Sequence, residues 1–194
     1  MKNLFLIIGA PGSGKTTDAS AIAQINQSVA HYSTGDMLRA EAASKSELGN
    51  QIKSFIDAGN LVPLDIVIST IVTAIENAEL DFIIIDGFPR SIEQMNKFDE
   101  VLATNNNINL ISVIEVKVSE ETAKDRVLGR ARGEDDNEEV FNNRMKVFLD
   151  PIDEIRKFYT KKEIYKDIDG ERTIEEIVAD LHEIIVEKIM KTIR

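Results

Sequence analysis

Gly9-Ala10-Pro11-Gly12-Ser13-Gly14-Lys15-Thr16 constrains this chain more than any other segment. It matches G-x-x-x-x-G-K-[ST] and falls between an apolar run, Leu4 to Ile8, and a helix-period segment that starts near Lys15. In that setting the glycines let the loop turn with its backbone N–H groups pointing inward, and the helix start adds partial positive charge. Lys15 can then reach the β- and γ-phosphates of a nucleoside triphosphate, and Thr16 offers a hydroxyl to Mg²⁺. A Gly-rich turn with no ligand is the bland alternative, and the strand-loop-helix order speaks against it. The motif names a ligand class, not a reaction.

The surroundings of the loop indicate the fold. Phe82-Ile83-Ile84-Ile85-Asp86 is a second apolar strand, ending in an acid that can hold Mg²⁺ directly or through water; a strand-end aspartate can equally be a turn former. Further β-branched runs occur at Val29 to Tyr32, Leu110 to Val118 and Ile164 to Ile168, with helix-period segments between them. Near-continuous apolar strands alternating with helices predict an α/β fold, a five-stranded parallel sheet covered on both faces. Helix starts are marked at Ser91-x-x-Gln94, Asp136-x-x-Glu139 and Thr173-x-x-Glu176, each with an acceptor at the cap and a carboxylate or amide three residues on.

Two stretches break the alternation. From Ser33 to Ala78 the pattern is consecutive helices, interrupted at Gly49, Gly59 and Pro63, which reads as a helical insertion standing off the sheet. From Gly129 to Asp136 a polar, charged connection joins two helical patterns and is a candidate lid.

Composition removes several function classes. With no cysteine, disulfides, thiolate zinc sites and cysteine nucleophiles are excluded, which fits a cytoplasmic protein. Leu4 to Ala10 behind Lys2 faintly suggests a signal peptide, but the run is short and enters Pro11-Gly12 without a cleavage-like tail. No stretch approaches the roughly 20 apolar residues of a membrane helix. A net charge of −11 argues against nucleic acid or an anionic membrane as partner. Against that acidic background Arg126, Arg130, Arg132 and Arg144 cluster in one short stretch. Helix-surface ion pairs would explain Arg126 and Arg130, which stand i, i+4 beside Glu120, Glu121 and Asp125. A cationic cleft for a polyanion would explain all four.

Asn96-Lys97-Phe98-Asp99 spells N-K-x-D, a guanine-reading signature, but it lies inside the helix opened by Ser91 instead of following a strand. Asp86-Gly87 likewise fails the D-x-x-G switch of GTPases, which leaves that class a minor alternative.

Ser33-Thr34-Gly35-Asp36-Met37-Leu38-Arg39, followed by Asp86-Gly87-Phe88-Pro89-Arg90 with Gln94, resembles the adenylate kinase family, and the resemblance extends over essentially the whole chain. It implies reversible phosphoryl transfer, ATP + AMP ⇌ 2 ADP, by a cytoplasmic monomer that uses Mg²⁺ and no zinc. It also implies one domain, 1–194, with a core of 1–32, 63–128 and 137–194, a monophosphate-binding insertion at 33–62 and a short lid at 129–136. ATP would rest on Gly12, Ser13, Gly14, Lys15, Thr16 and Thr17, with Arg126, Arg130 and Arg172. AMP would meet Thr34, Arg39, the backbone of Asn60, Leu61 and Val62, the segment Gly87, Phe88, Pro89 and Arg90, and Gln94, Arg132 and Arg144. Lys15, Arg90, Arg126, Arg130, Arg132 and Arg144 would carry the catalytic charge, and Thr16 with Asp86 would hold Mg²⁺.

Chemistry supports those residue types independently. Transfer between two polyanions needs cations on both sides of the moving group and exclusion of water, because catalysis is mostly positioning and charge stabilisation. An acceptor phosphate with a second pKa near 6 is already largely dianionic at neutral pH, so no general base is required. His31 and His182 are accordingly a strand-end and a surface residue with no assigned role. Gln94 can pair with an adenine edge or complete the capping box of Ser91, and both roles can coexist.

The chain departs from short-lid members of the family at one point. They place an arginine two residues before the Asp-Asp pair, where this chain has Gly133, with Arg132 one residue earlier. A UMP/CMP kinase and a non-catalytic adenine-nucleotide binder stay open at this point.

Overall fold

The computed structural model describes residues 1–130 and 137–193, and within them each apolar run becomes a strand. These are β1 (Lys2–Ile8), β2 (Val29–Ser33), β3 (Phe82–Asp86), β4 (Ile108–Lys117) and β5 (Tyr165–Asp169). All pair in parallel in the order β2-β3-β1-β4-β5. Central β1 is buried from Asn3 to Ile8, which is why its sequence is a continuous apolar run and not an alternation.

The pleat divides the core in two. Phe5, Ile7, Ile84 and Ile114 face α1 (Lys15–Ile25) and α8 (Ile174–Ile193), which contribute Ile22, Ile177, Leu181 and Ile185. Leu4, Leu6, Ile83, Ile85 and Val113 face α4 (Leu64–Asn77), α5 (Ile92–Thr104) and α7 (Glu138–Lys161), which contribute Ile71, Ile75, Phe98, Ile152 and Ile155. The helical stretch from Ser33 to Ala78 therefore does not stand off as a whole. Its third helix, α4, buries Val67, Ile68, Ile71 and Ile75 in the sheet core, because i, i+3, i+4 spacing gives it one continuous apolar face. The preceding pair, α2 (Thr34–Ala43) and α3 (Glu47–Asp57), pack mainly on each other.

Caps also differ from the sequence reading in two places. The cap of α7 is Asn137, whose side chain accepts from Val140 N at 3.0 Å, one residue beyond the expected Asp136. At α5, Ser91 Oγ accepts from Gln94 N, but Gln94 Oε1 accepts from Arg90 N at 2.8 Å instead of returning to the Ser91 backbone. The Thr173 box closes as expected, with Glu176 N donating to Thr173 Oγ1 and Thr173 N to Glu176 Oε2.

One buried polar cluster ties α7 to the sheet. Glu115 of β4, 1% exposed, accepts from Arg156 Nε and Nη2 at 2.8 and 2.7 Å and from the Tyr165 hydroxyl at 2.6 Å. No helix among the described residues is long and apolar enough to cross a membrane.

Candidate active site

The chain moves outward from β1 in both directions, to β3 on one side and β4 on the other, so a crevice opens at the carboxyl ends of the central strands. The phosphate loop follows β1, Thr34 follows β2, and the segment from Gly87 to Arg90 follows β3. A cleft there encloses about 1210 Å³ including its open mouth.

The loop has the geometry its glycines anticipate. Gly12 and Gly14 adopt φ of +83° and +94°, and a Cβ on Gly12 would lie 2.3 Å from Ala123 O, so only glycine fits. Ser13 is fully buried, and its Oγ makes no hydrogen bond among the described residues. Lys15 Nζ donates to Ala10 O at 3.1 Å, and Thr17 is exposed in the first turn of α1. Thr16 Oγ1 donates to Asp86 Oδ1 at 2.9 Å, which joins the loop to the end of β3.

His31 completes this polar centre, a residue that sequence reasoning passed over. Its Nε2 lies 2.6 Å from Asp86 Oδ2, with both side chains largely buried. Burial alone would raise the Asp86 pKa; the His31 hydrogen bond, the Lys15 charge and the Thr16 hydroxyl together hold it below the usual carboxylate value. The missing signal was strand order. Only once β2 is known to lie beside β3, with His31 opposite Ile84 and Ser33 opposite Asp86, do His31 and Asp86 fall on one face.

Three guanidinium groups gather in the same cleft. Arg39 comes from α2, Arg90 from the turn after β3 and Arg144 from α7, and all three line the cleft with Lys15. Arg90 Nε donates to Gly87 O at 2.6 Å. Enclosure deep in the cleft pulls the Arg90 pKa down to about 10; nearby Asp86 opposes that shift, while Arg39 and Arg144 add to it. The group stays cationic at neutral pH, crowded by two like charges that a bound anion would relieve. Gly35 makes room for this cluster, since a Cβ there would come within 3.0 Å of Arg39 Nη1 and 3.5 Å of Arg90 Nη2.

Thr34 and Gln94, 2% and 3% exposed, border the same cleft, and Thr34 Oγ1 makes no hydrogen bond among the described residues. Asn60, Leu61, Val62, Gly87 and Pro89 also line it.

Other expected side chains are held elsewhere. Phe88 turns into the core and meets Phe98 edge-on at 5.2 Å, which leaves only its backbone near the cleft. Arg126 Nη1 and Nη2 donate to Ser13 O at 3.3 Å and Gly170 O at 2.9 Å, bridging the phosphate loop and the loop after β5. Arg172 Nη2 pairs with Asp180 of α8 at 2.5 Å. Arg130 closes α6 (Glu120–Arg130), but its side chain, like Arg132 and the rest of the expected lid from 131 to 136, lies outside the described residues.

Known proteins resemble this chain over nearly its full length. A family model described as adenylate kinase matches residues 7–164. A protein named adenylate kinase from Campylobacter hominis is 71% identical over 191 residues, 98% of this chain and 100% of that one. The corresponding protein of Campylobacter lari is 65% identical over 187 residues, 96% of this chain and 98% of its own. With the phosphate loop, the strand-end acid and the arginine-lined cleft in the order the family requires, the chain belongs to the adenylate kinase family.

Proposed function

We propose that the chain catalyses ATP + AMP ⇌ 2 ADP in the cleft above β1 and β3, with ATP on the phosphate loop and AMP against α2 and Gln94. The observation that carries this reading is that Arg39, Arg90 and Arg144 line one cleft together with Lys15, with Arg39 and Arg144 near enough to Arg90 to lower its pKa; transfer between two polyanions needs such a concentration of cations.

In the forward direction an oxygen of the AMP phosphate attacks the γ-phosphorus as its bond to the β-bridging oxygen breaks. The electron pair leaves on ADP. Lys15 follows the charge from γ to β, while Arg90 and Arg144 hold the acceptor phosphate in line and neutralise the transferring group. Arg39 grips the AMP phosphate from the start of the insertion at 33–62. Thr34 Oγ1, buried and without a hydrogen-bond partner among the described residues, and the NH₂ of the Gln94 amide, whose oxygen accepts from Arg90 N, are the polar groups for the acceptor base. Arg126 holds Ser13 and Gly170 together, so its part on the donor side is to shape the ATP subsite from beneath. Arg130 and Arg132 would add cationic charge for the donor phosphates and the transferring group.

The donor set suits Mg²⁺. Thr16 Oγ1 and Asp86 are two hard oxygen ligands placed together at the phosphate loop. That matches an ion which draws most of its ligands from phosphate and water. Bound there, it would neutralise developing charge on the β- and γ-oxygens. Thr16 and His31 fix the Asp86 carboxylate for that purpose.

The test is a coupled assay with MgATP and AMP, CMP, UMP or GMP. AMP should give a kcat/KM at least about 100-fold above the others, since a site built to hydrogen-bond one base rejects bases that leave its polar groups unpaired. Comparable turnover of CMP or UMP would assign the cleft to a pyrimidine acceptor instead.

A further inference from the structure

The wall that carries Asn60, Leu61 and Val62 is the C-terminal exit of α3, and it closes in a Schellman arrangement. Gly59, at φ +71°, donates its N–H to Ile56 O at 3.0 Å, and Asn60 N donates to Phe55 O at 2.9 Å. This leaves the Ala58 carbonyl without a donor from its own helix. Asn143 of α7 supplies one, with Nδ2 donating to Ala58 O at 2.8 Å and to Asn60 Oδ1 at 2.9 Å. The orientation of both amides follows from chemistry. A backbone carbonyl only accepts, so Asn143 must present its NH₂ and Asn60 its oxygen.

The same turn is pressed onto α7 sterically. A Cβ at Gly59 would lie 3.0 Å from Val140 O, 3.1 Å from Val140 Cγ1 and 3.3 Å from Arg144 Cγ. Arg144 Nη2 lies 3.4 Å from Ile56 O, so two neighbouring residues of α7 meet the negative end of α3. Asn143 spends both hydrogens of its amide on this turn and does not itself line the cleft.

We infer that Asn143 is a positioning residue for the acceptor nucleotide: by holding Ala58 and Asn60 against α7 it sets the wall of the AMP subsite at the distance at which Arg144 meets the acceptor phosphate. The inference rests on the AMP reading of the cleft. Losing the two bonds leaves the fold and the phosphate loop intact but lets the turn at 58–62 move away from α7. AMP then binds with its base and phosphate contacts out of register.

Asn143→Asp tests this with an isosteric side chain that offers no donor and sets a carboxylate against the Ala58 carbonyl oxygen. The KM for AMP should rise on the order of 10-fold, with kcat at saturating AMP and the KM for ATP within about twofold of wild type, as loss of ground-state positioning on one substrate requires. Asn143→Ala should do the same more weakly. Asn60→Ala in the Asn143→Asp background should add little, because both changes cut the same bond. Amide exchange at Gly59 and Asn60, measured without nucleotide, should quicken in Asn143→Asp and stay unchanged in the core strands. Unchanged exchange at those two amides, or a parallel rise in the KM of ATP and AMP, overturns the inference. Wild type that transfers nothing to AMP overturns the functional reading itself, and the parallel wild-type assay tells the two failures apart.

Discussion

Among the described residues Lys15 is the only lysine lining the cleft, and the proposed transfer gives it electrostatic work: one ammonium must follow charge as it migrates from γ- to β-phosphate. Lys15→Met should therefore lower kcat on the order of 100-fold or more with the fold unchanged by circular dichroism. Near-normal turnover would mean that the triphosphate is held elsewhere. Asp18 shows the opposite economy, a charge the fold tolerates poorly. It sits one turn into α1, 1% exposed, with Oδ2 making no hydrogen bond among the described residues. Burial raises its pKa from 3.8 to about 6, with Arg126 pulling the other way. Between those two values the folded chain keeps a proton that the unfolded chain releases, so stability falls as pH rises through that window. Asp18→Asn should accordingly be more stable than wild type at pH 7 by about 1–2 kcal/mol, with the gain fading toward pH 4. Thermal unfolding at both pH values decides it. A variant less stable at pH 7 would mean that the attraction between Asp18 and Arg126 outweighs the burial.

At the scale of elements, α7 carries the most responsibility, because Asn143 and Arg144 near its start serve the cleft while its distal half holds the sheet. The anchor is the buried carboxylate of Glu115. Its hydrogen bonds hold the Arg156 pKa above the ordinary guanidinium value and, together with burial, the Tyr165 hydroxyl above the phenol range. Arg156→Met would leave that carboxylate in the core without its cation and should cost about 2–4 kcal/mol in urea unfolding. Glu115→Gln added to it should recover part of the loss, since a buried pair costs most when only one member remains. Additive losses would show that Arg156 acts by packing alone. Elements of this kind were only partly legible from sequence. The inner strands β1, β3 and β4 were, because parallel strands covered on both faces are near-continuous apolar runs, while edge strand β5, exposed at Lys166, Asp167 and Asp169, showed only weakly; so was the phosphate loop, because its glycines have no alternative at φ near +90°. What stayed hidden depends on which strands are neighbours. The His31 bond to Asp86 needs β2 beside β3, and the Glu115 cluster needs β5 beside β4 under α7. The cap at Asn137 was missed because two adjacent residues both make good caps, and only the backbone at 137, extended before the first helical turn, decides between them.

Across the whole molecule the charge distribution is inverted relative to the ligands: the chain is acidic overall at −11, yet its cleft concentrates Lys15, Arg39, Arg90 and Arg144. Close charges in an enclosed cleft are screened far less than the dispersed surface acids, so local attraction governs binding while the surface field repels other polyanions. The geometry also makes a statement about number. Phosphate loop and acceptor wall border one continuous space, and the proposed transfer requires two nucleotides in it with their phosphate chains facing each other along one line. Two adenosines joined through a four- or five-phosphate bridge should then bind as a single ligand, the second half at an effective concentration in the millimolar range or above. Such a compound, present at about 100 times its Kd, should stabilise the folded chain by about 2.7 kcal/mol, or on the order of 5–10 °C in Tm. An equimolar mixture of ATP and AMP at the same concentration should shift Tm by clearly less, because each half must be captured separately. Mg²⁺ should add to the shift given by the bridged compound in wild type, and add less in an Asp86→Asn variant, whose weaker oxygen ligand sits at the same place. Equal shifts from the bridged compound and from the mixture would mean that the two subsites do not share a line of transfer, and the single-cleft mechanism would fall with them.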